Sequence, residues 1–279
     1  MSKETVLYLL KKYRLAPDER SSQNFLISDQ VIEETLRAAE VGSSDAILEI
    51  GSGVATLTAR LCPACKQVVA VEEDLRFAPL LQDLAAVNTN LSVILDDILR
   101  VPFSEIAPKL GVSDAAPRYK VIANLPYHIT SRIISRMLSY PTLPACVVIM
   151  VQKEVAERIT AKPGEHSKLS LSVQYYGDPD IVRIVDRKNF YPSPKVDSAL
   201  LLIRNLRPWS YPVPEKRVWQ LIAFGFSSKR KKLVNTLAAG LAQDKKAVAE
   251  AMQRAGIEPS KRPQDLELSD WPKLAAVLS

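Results

Sequence analysis

The stretch "VIANLPYHIT", residues 121–130, joins an apolar, β-type run to a polar turn. The run ends at Asn124, Pro126 sets the turn two residues on, and Tyr127 brings a flat ring at once. An amide flanked by free backbone carbonyls can accept the hydrogens of an aromatic amine, and a ring can stack on a planar base. The combination reads as a site that grips a nucleobase by its exocyclic nitrogen. Asn-x-Pro is also ordinary turn chemistry, so its meaning depends on what stands at the ends of the neighbouring apolar runs.

Those runs are short and nearly continuous in hydrophobicity: "AILEI" (46–50), "VVAVE" (68–72), "LSVIL" (91–95), "KVIAN" (120–124) and "CVVIMV" (146–151). Such runs fit strands buried on both faces. Between them, Ile32, Leu36 and Ala39, and then Ile133, Ile134, Met137 and Leu138, recur at helical spacing. Strands alternating with helices predict an α/β fold with a largely parallel sheet. A helix is expected through "KEVAERI" (153–159), with later strands at 181–186 and 198–204. "RPWSYPVPE" (207–215), with three prolines, reads as a linker, and three helical segments follow, the last stopping near Gly256. Two domains are expected, 1–204 and 205–279.

Composition narrows the class. With 279 residues, 47% of them hydrophobic, the chain can bury a full core. No apolar run reaches the ~18 to 20 residues of a membrane span. Lys11, Lys12 and Arg14 follow the apolar part of the N-terminal segment instead of preceding it, which is not the build of a secretory signal. Three cysteines fit a reducing cytoplasm better than a disulfide framework. Cys62 and Cys65 lack partners at paired spacing, so a structural role is expected and no metal. Residues 1–204 hold 24 Lys+Arg against 24 Asp+Glu, whereas residues 205–279 hold 13 against 7. The basic excess of the C-terminal quarter reads as a grip on phosphate.

In an open α/β sheet, ligands bind beyond the C-terminal ends of the strands. Polar residues stand at those places: Gly51 and Gly53 after the first run, Glu72 at the end of the second, Asp96 and Asp97 after the third, Asn124 at the end of the fourth. Glu72 lies about 20 residues beyond the glycines, where a carboxylate accepts ribose hydroxyls. A dinucleotide fingerprint wants a third small residue where Thr56 stands, and a pyrophosphate to cradle. The loop suits S-adenosylmethionine better, because that cofactor carries no phosphate.

Taken in order, "QNFLISDQVI" (23–32), "EIGSG", "NLPYHIT", "VQKEVAERI" (151–159), "LSLSVQYY" (169–176), "NFYPSPKVDSALL" (189–201), "GFSSKRKKLVNTL" (225–237) and "KRPQDLELSDWPKLAAVL" (261–278) resemble the small-subunit ribosomal RNA adenine dimethyltransferases. The resemblance implies a Rossmann-like, S-adenosylmethionine-dependent methyltransferase domain and a small C-terminal helical RNA-binding domain. It implies N6,N6-dimethylation of adjacent adenines near the 3′ end of small-subunit rRNA, with that RNA or a 30S-type pre-subunit as partner, in the cytoplasm. A monomer is expected. Asn24 and Leu26 are implied to close over the cofactor, Gly51 and Gly53 to line it, Glu72 to bind its ribose and Asp97 its adenine amine. Asn124, Leu125, Pro126 and Tyr127 are implied at the reacting centre, Phe190 as a second stacking face opposite Tyr127, and Lys229, Arg230, Lys231 and Lys232 on RNA phosphates.

Adenine N6 is a poor nucleophile because its lone pair is delocalised into the ring. If the Asn124 side-chain oxygen and a carbonyl at Leu125 or Pro126 both accept N6 hydrogens, they favour a pyramidal nitrogen, and positioning replaces a strong base. The sequence departs from the family at "RSSQNFL", at His128 and at "EHSKLS" (165–170), which touches loops and RNA contacts. The rivals are a large-subunit adenine methylase of the macrolide-resistance type, a binding protein that keeps the fold without turnover, and a DNA N6-adenine methylase.

Overall fold

The computed structural model describes residues 3–18, 23–112, 118–125, 129–228 and 230–278. Nine strands occur among them: β1 Phe25–Leu26, β2 Ala46–Ile50, β3 Gln67–Glu72, β4 Leu91–Leu95, β5 Lys120–Asn124, β6 Cys146–Gln152, β7 Asp178–Val185, β8 Phe190–Tyr191 and β9 Ser198–Arg204. Seven form one sheet in the order β4-β3-β2-β5-β6-β9-β7, and β1 pairs with β8 in a separate two-stranded ribbon. The contiguous apolar runs became the five parallel strands β2 to β6. All five residues of β2 are buried, because helices cover both faces of a parallel sheet.

From β2 the chain builds outward to β3 and β4, then returns to the other side of β2 with β5 and β6. That reversal makes a crevice between the C-terminal ends of β2 and β5, the place where open α/β sheets bind ligands. β9 and β7 finish the sheet antiparallel. β7 begins at Asp178, three residues before the segment expected from its apolar content. Asp178, Pro179 and Asp180 hide that start, and an edge strand tolerates them.

The chain divides into two compact units, residues 1–156 with 178–206, and residues 157–177 with 207–279. The sequence suggests one cut near 205, whereas the chain crosses three times. The reason lies in the helix Lys168–Gln174, opened by a Ser167/Ser170 capping box. Its Leu171, and Tyr175 just beyond, are buried with Val218, Leu221, Leu233 and Trp271 in the core of the helical unit. The proline-rich 207–215 segment is packed as well: the Trp209 ring lies 5.2 Å from Tyr175 and 5.1 Å from Tyr211. Gly256 follows the helix Lys245–Arg254, and the Gly256 and Ile257 N–H groups return to the carbonyls of Gln253 and Met252 in a Schellman stop.

Candidate active site

A cleft open at its mouth lies over the crevice between β2 and β5 and reaches residues after β3 and β4. Its floor is the turn after β2. Gly51 sits at φ +77°, and a Cβ there would come within 3.4 Å of the Asn124 carbonyl. Gly53 sits at φ +50°, with the Phe25 ring 3.1 Å from where its Cβ would be. Only glycine takes this backbone without strain while two neighbouring segments close on it.

Glu72 ends β3 with 6% exposure. Its Oε2 accepts the Gly53 N–H at 2.7 Å and its Oε1 accepts the Asp74 N–H at 2.9 Å. Burial raises its carboxyl above the ordinary range, and those two bonds pull the other way. Each oxygen keeps a further lone pair for a ligand hydroxyl. Asp97 lines the same cleft with its Oδ1 accepting the Leu99 N–H at 2.9 Å. It therefore caps its own turn as well as facing the cavity.

Asn124 closes β5, lines the cleft and donates from Nδ2 to the Asn24 carbonyl at 3.1 Å. Asn24 leads into β1, whose Leu26 is buried and also lines the cleft. Leu125 lies at the cleft wall, its N–H donating to the Met150 carbonyl at 3.3 Å. Asn24, Leu26, Gly51, Gly53, Glu72, Asp97, Asn124 and Leu125, drawn from five separate segments, thus meet in one cavity. Pro126, Tyr127, His128 and Lys229 lie outside the described residues.

Phe190 does not present the free stacking face that the resemblance implies. It is 3% exposed and buried with Leu26, Val31, Val185 and Leu200, because β8 pairs with β1 and sets Phe190 opposite Leu26. Arg230, Lys231 and Lys232 are exposed just ahead of the helix Leu233–Leu241 in the helical unit. Cys62 and Cys65 pack in the core, where burial pushes their thiols up to about 12 and about 11. Among the described residues, no group of three or more His, Cys, Asp or Glu is placed to hold a metal ion.

Glu49 is the residue that sequence reasoning passed over. It is 1% exposed, lines the cleft, and its Oε2 has no hydrogen-bond partner. Burial, reinforced by the charge of Glu72, pushes its carboxyl up to about 8, against the pull of Thr58. The signal was a single acid inside the otherwise apolar run "AILEI". Ser52 Oγ, also buried at the cleft, is likewise without a partner.

The sequence model of the ribosomal RNA adenine dimethylase family matches residues 18–278. This chain belongs to that family. Among relatives of this dimethylase, the ribosomal RNA small subunit methyltransferase A of Dehalococcoides mccartyi is 37% identical, over 96% of this chain and 91% of its own. The protein of the same name from Clostridium botulinum is 36% identical, over 96% of both chains. Two solved structures share the architecture across nearly the whole dimethylase. A dimethyladenosine transferase from Plasmodium falciparum has a TM-score of 0.74 and 27% identity, covering 90% of this chain and 95% of its own. The 23S rRNA methyltransferase ErmE has a TM-score of 0.71 and 25% identity, covering 91% and 99%.

Proposed function

We propose that this ribosomal RNA adenine dimethylase uses the cleft to transfer two methyl groups from S-adenosylmethionine to N6 of adjacent adenines near the 3′ end of small-subunit rRNA. The observation that carries the reading is the cleft's charge. Glu72, Glu73, Asp96 and Asp97 line it, and no lysine or arginine stands among its described lining residues. Such a cavity repels phosphates and favours a cofactor with sulfonium and ammonium cations. When bound, S-adenosylmethionine supplies an electrophilic methyl group.

The chain's own residues supply the rest. Glu72, tied to Gly53 and Asp74, is proposed to hold the ribose hydroxyls, and Asp97 the adenine amine, while Asn24 and Leu26 cover the site. In the first transfer the Asn124 carbonyl end and a backbone carbonyl of the Leu125–Pro126 turn accept the two N6 hydrogens of the target, and in the second one of them accepts the single hydrogen that remains. They thereby turn its lone pair out of conjugation without removing a proton first. The target base leaves its stack to reach them, as bases acted on by enzymes do. Tyr127, by its place in the motif, is proposed to stack on it. Arg230, Lys231 and Lys232, with Lys229, would hold phosphates next to a helix N-terminus, itself favourable to anions. A monomer acting on a cytoplasmic 30S-type particle completes the proposal.

The test is incubation with labelled S-adenosylmethionine and small ribosomal subunits lacking the modification, with large subunits and duplex DNA in parallel. Dimethyladenosine confined to small-subunit RNA, and absent with Asn124→Ala, is the expected result. Label in large subunits or DNA would overturn the substrate assignment. Binding to the small subunit without any label would leave an assembly factor.

A further inference from the structure

The side-chain amide of Asn124 has a donor end and an acceptor end, and only the acceptor end can take an N6 hydrogen. Which end faces a ligand depends on what holds the other. Nδ2 lies 3.1 Å from the main-chain oxygen of Asn24. The flipped amide would put two carbonyl oxygens at that separation, so the Asn24 carbonyl dictates the orientation.

That carbonyl is itself held firmly. Asn24 runs directly into β1, where Phe25 pairs with Tyr191 and Leu26 with Phe190, and the Ile27 N–H continues the ribbon to the Asn189 carbonyl at 2.9 Å. The Phe25 ring packs edge-on against Phe77 at 5.8 Å. On the other side of Asn24, the Gln23 amide donates to Asp74 at 2.7 Å, and Asp74 offers its N–H to Glu72. An unbroken set of contacts therefore runs from the ribose-facing carboxylate to the amide at the reacting end.

We infer that the main-chain carbonyl of Asn24 is the positioning group that aims the Asn124 oxygen at the target amine, and that the β1–β8 ribbon exists at this place to hold it. The inference rests on the proposed role of Asn124 as an acceptor. In it Phe190 acts from beneath, by seating β1, instead of on the base.

The test replaces Phe25 by its α-hydroxy acid, phenyllactate, which turns the Asn24–Phe25 amide into an ester with a weaker acceptor oxygen, deletes the Phe25 N–H and leaves every side chain in place. A second ester, at Leu26, perturbs the same ribbon without touching the Asn24 carbonyl. Asparagine labelled with ¹⁵N gives a readout without cofactor or RNA: one Nδ2 proton of Asn124 should resonate downfield of ordinary side-chain amides and return upfield in the position-25 ester. In small-subunit methylation that ester should lower kcat at least fivefold and change the dissociation constant for S-adenosylmethionine less than twofold, while the position-26 ester keeps kcat within twofold. Equal losses in both esters would overturn the inference, as would an unchanged kcat at position 25. An Asn124 amide without a downfield proton in the unaltered protein would overturn it even if neither ester variant folds. An unaltered protein that methylates nothing would instead remove the functional reading, and the inference with it.

Discussion

Glu49 places an acid in the middle of the most buried strand of the sheet, and replacing it with glutamine tests the electrostatics of the cleft floor. The side chain is 1% exposed, and its carboxyl moves from 4.5 in the unfolded chain to about 8 in the fold, chiefly through burial. A raised acid makes the folded state hold a proton that the unfolded state has released. The Glu49 contribution to stability therefore falls as pH rises through the interval from 4.5 to about 8 and is level outside it. The slope is about 1.4 kcal/mol per pH unit, so the cost at pH 7 is on the order of 3 kcal/mol, a large share of the roughly 5 to 15 kcal/mol that holds a domain together. Glu49→Gln keeps the shape and removes the titration. Near pH 4.5 the variant should match the original protein, and by pH 7 it should be more stable by on the order of 3 kcal/mol. Denaturant titration at half-unit pH steps measures this, followed by circular dichroism. Tryptophan fluorescence is the wrong probe, because Trp209, Trp219 and Trp271 all lie in the helical unit. A stability difference that stays constant from pH 5 to 8 would refute the reasoning, since it would mean that Glu49 is ionised in the fold.

Gly53→Ala forces a Cβ to 3.1 Å from the Phe25 ring at positive φ, so unfolding free energy should drop by about 1 to 2 kcal/mol and cofactor affinity with it, checked by denaturation and calorimetry. Glu72→Ala strips the acceptor from two part-buried N–H groups and should cost about 1 to 2 kcal/mol of stability; Glu72→Gln, which keeps one carbonyl acceptor, should recover part of that while still weakening cofactor binding. His166 is 3% exposed, and burial lowers its pKa against the opposing charge of Glu267, so its unfolded form takes up a proton more readily than its folded form. The helical unit should keep full stability above pH ~6.5 and lose it below, by up to about 1.4 kcal/mol per pH unit, and His166→Gln should flatten that acid limb in tryptophan fluorescence. Replacing Arg230, Lys231 and Lys232 together by alanine should weaken RNA binding across sequences and reduce the slope of log affinity against log salt by about 0.7 to 0.9 for each phosphate left without its cation.

The sequence alone determined the sheet, because strands covered on both faces must be apolar at every position. The runs 46–50, 91–95, 120–124 and 198–204 match β2, β4, β5 and β9 end to end. It also determined most of the polar residues that line the cleft, Glu49 excepted. Parallel strands all expose the same end to the crevice, so a residue's place just after an apolar run states its place in space. Family motifs added what spacing could not, the identity of the reaction. Three things were decided only by tertiary structure. The 157–177 segment joins the helical unit because Leu171 and Tyr175 find their apolar partners there, and local pattern carries no record of distant partners. Phe190 is a core side chain because a two-residue ribbon, too short to have a periodicity of its own, turns it toward Leu26. The protonation of Glu49 and the orientation of the Asn124 amide depend on what lies within a few ångströms, supplied by segments as much as 100 residues away. Burial and hydrogen-bond geometry are properties of the folded chain, and at this site they govern the charge of one acid and the direction of one amide.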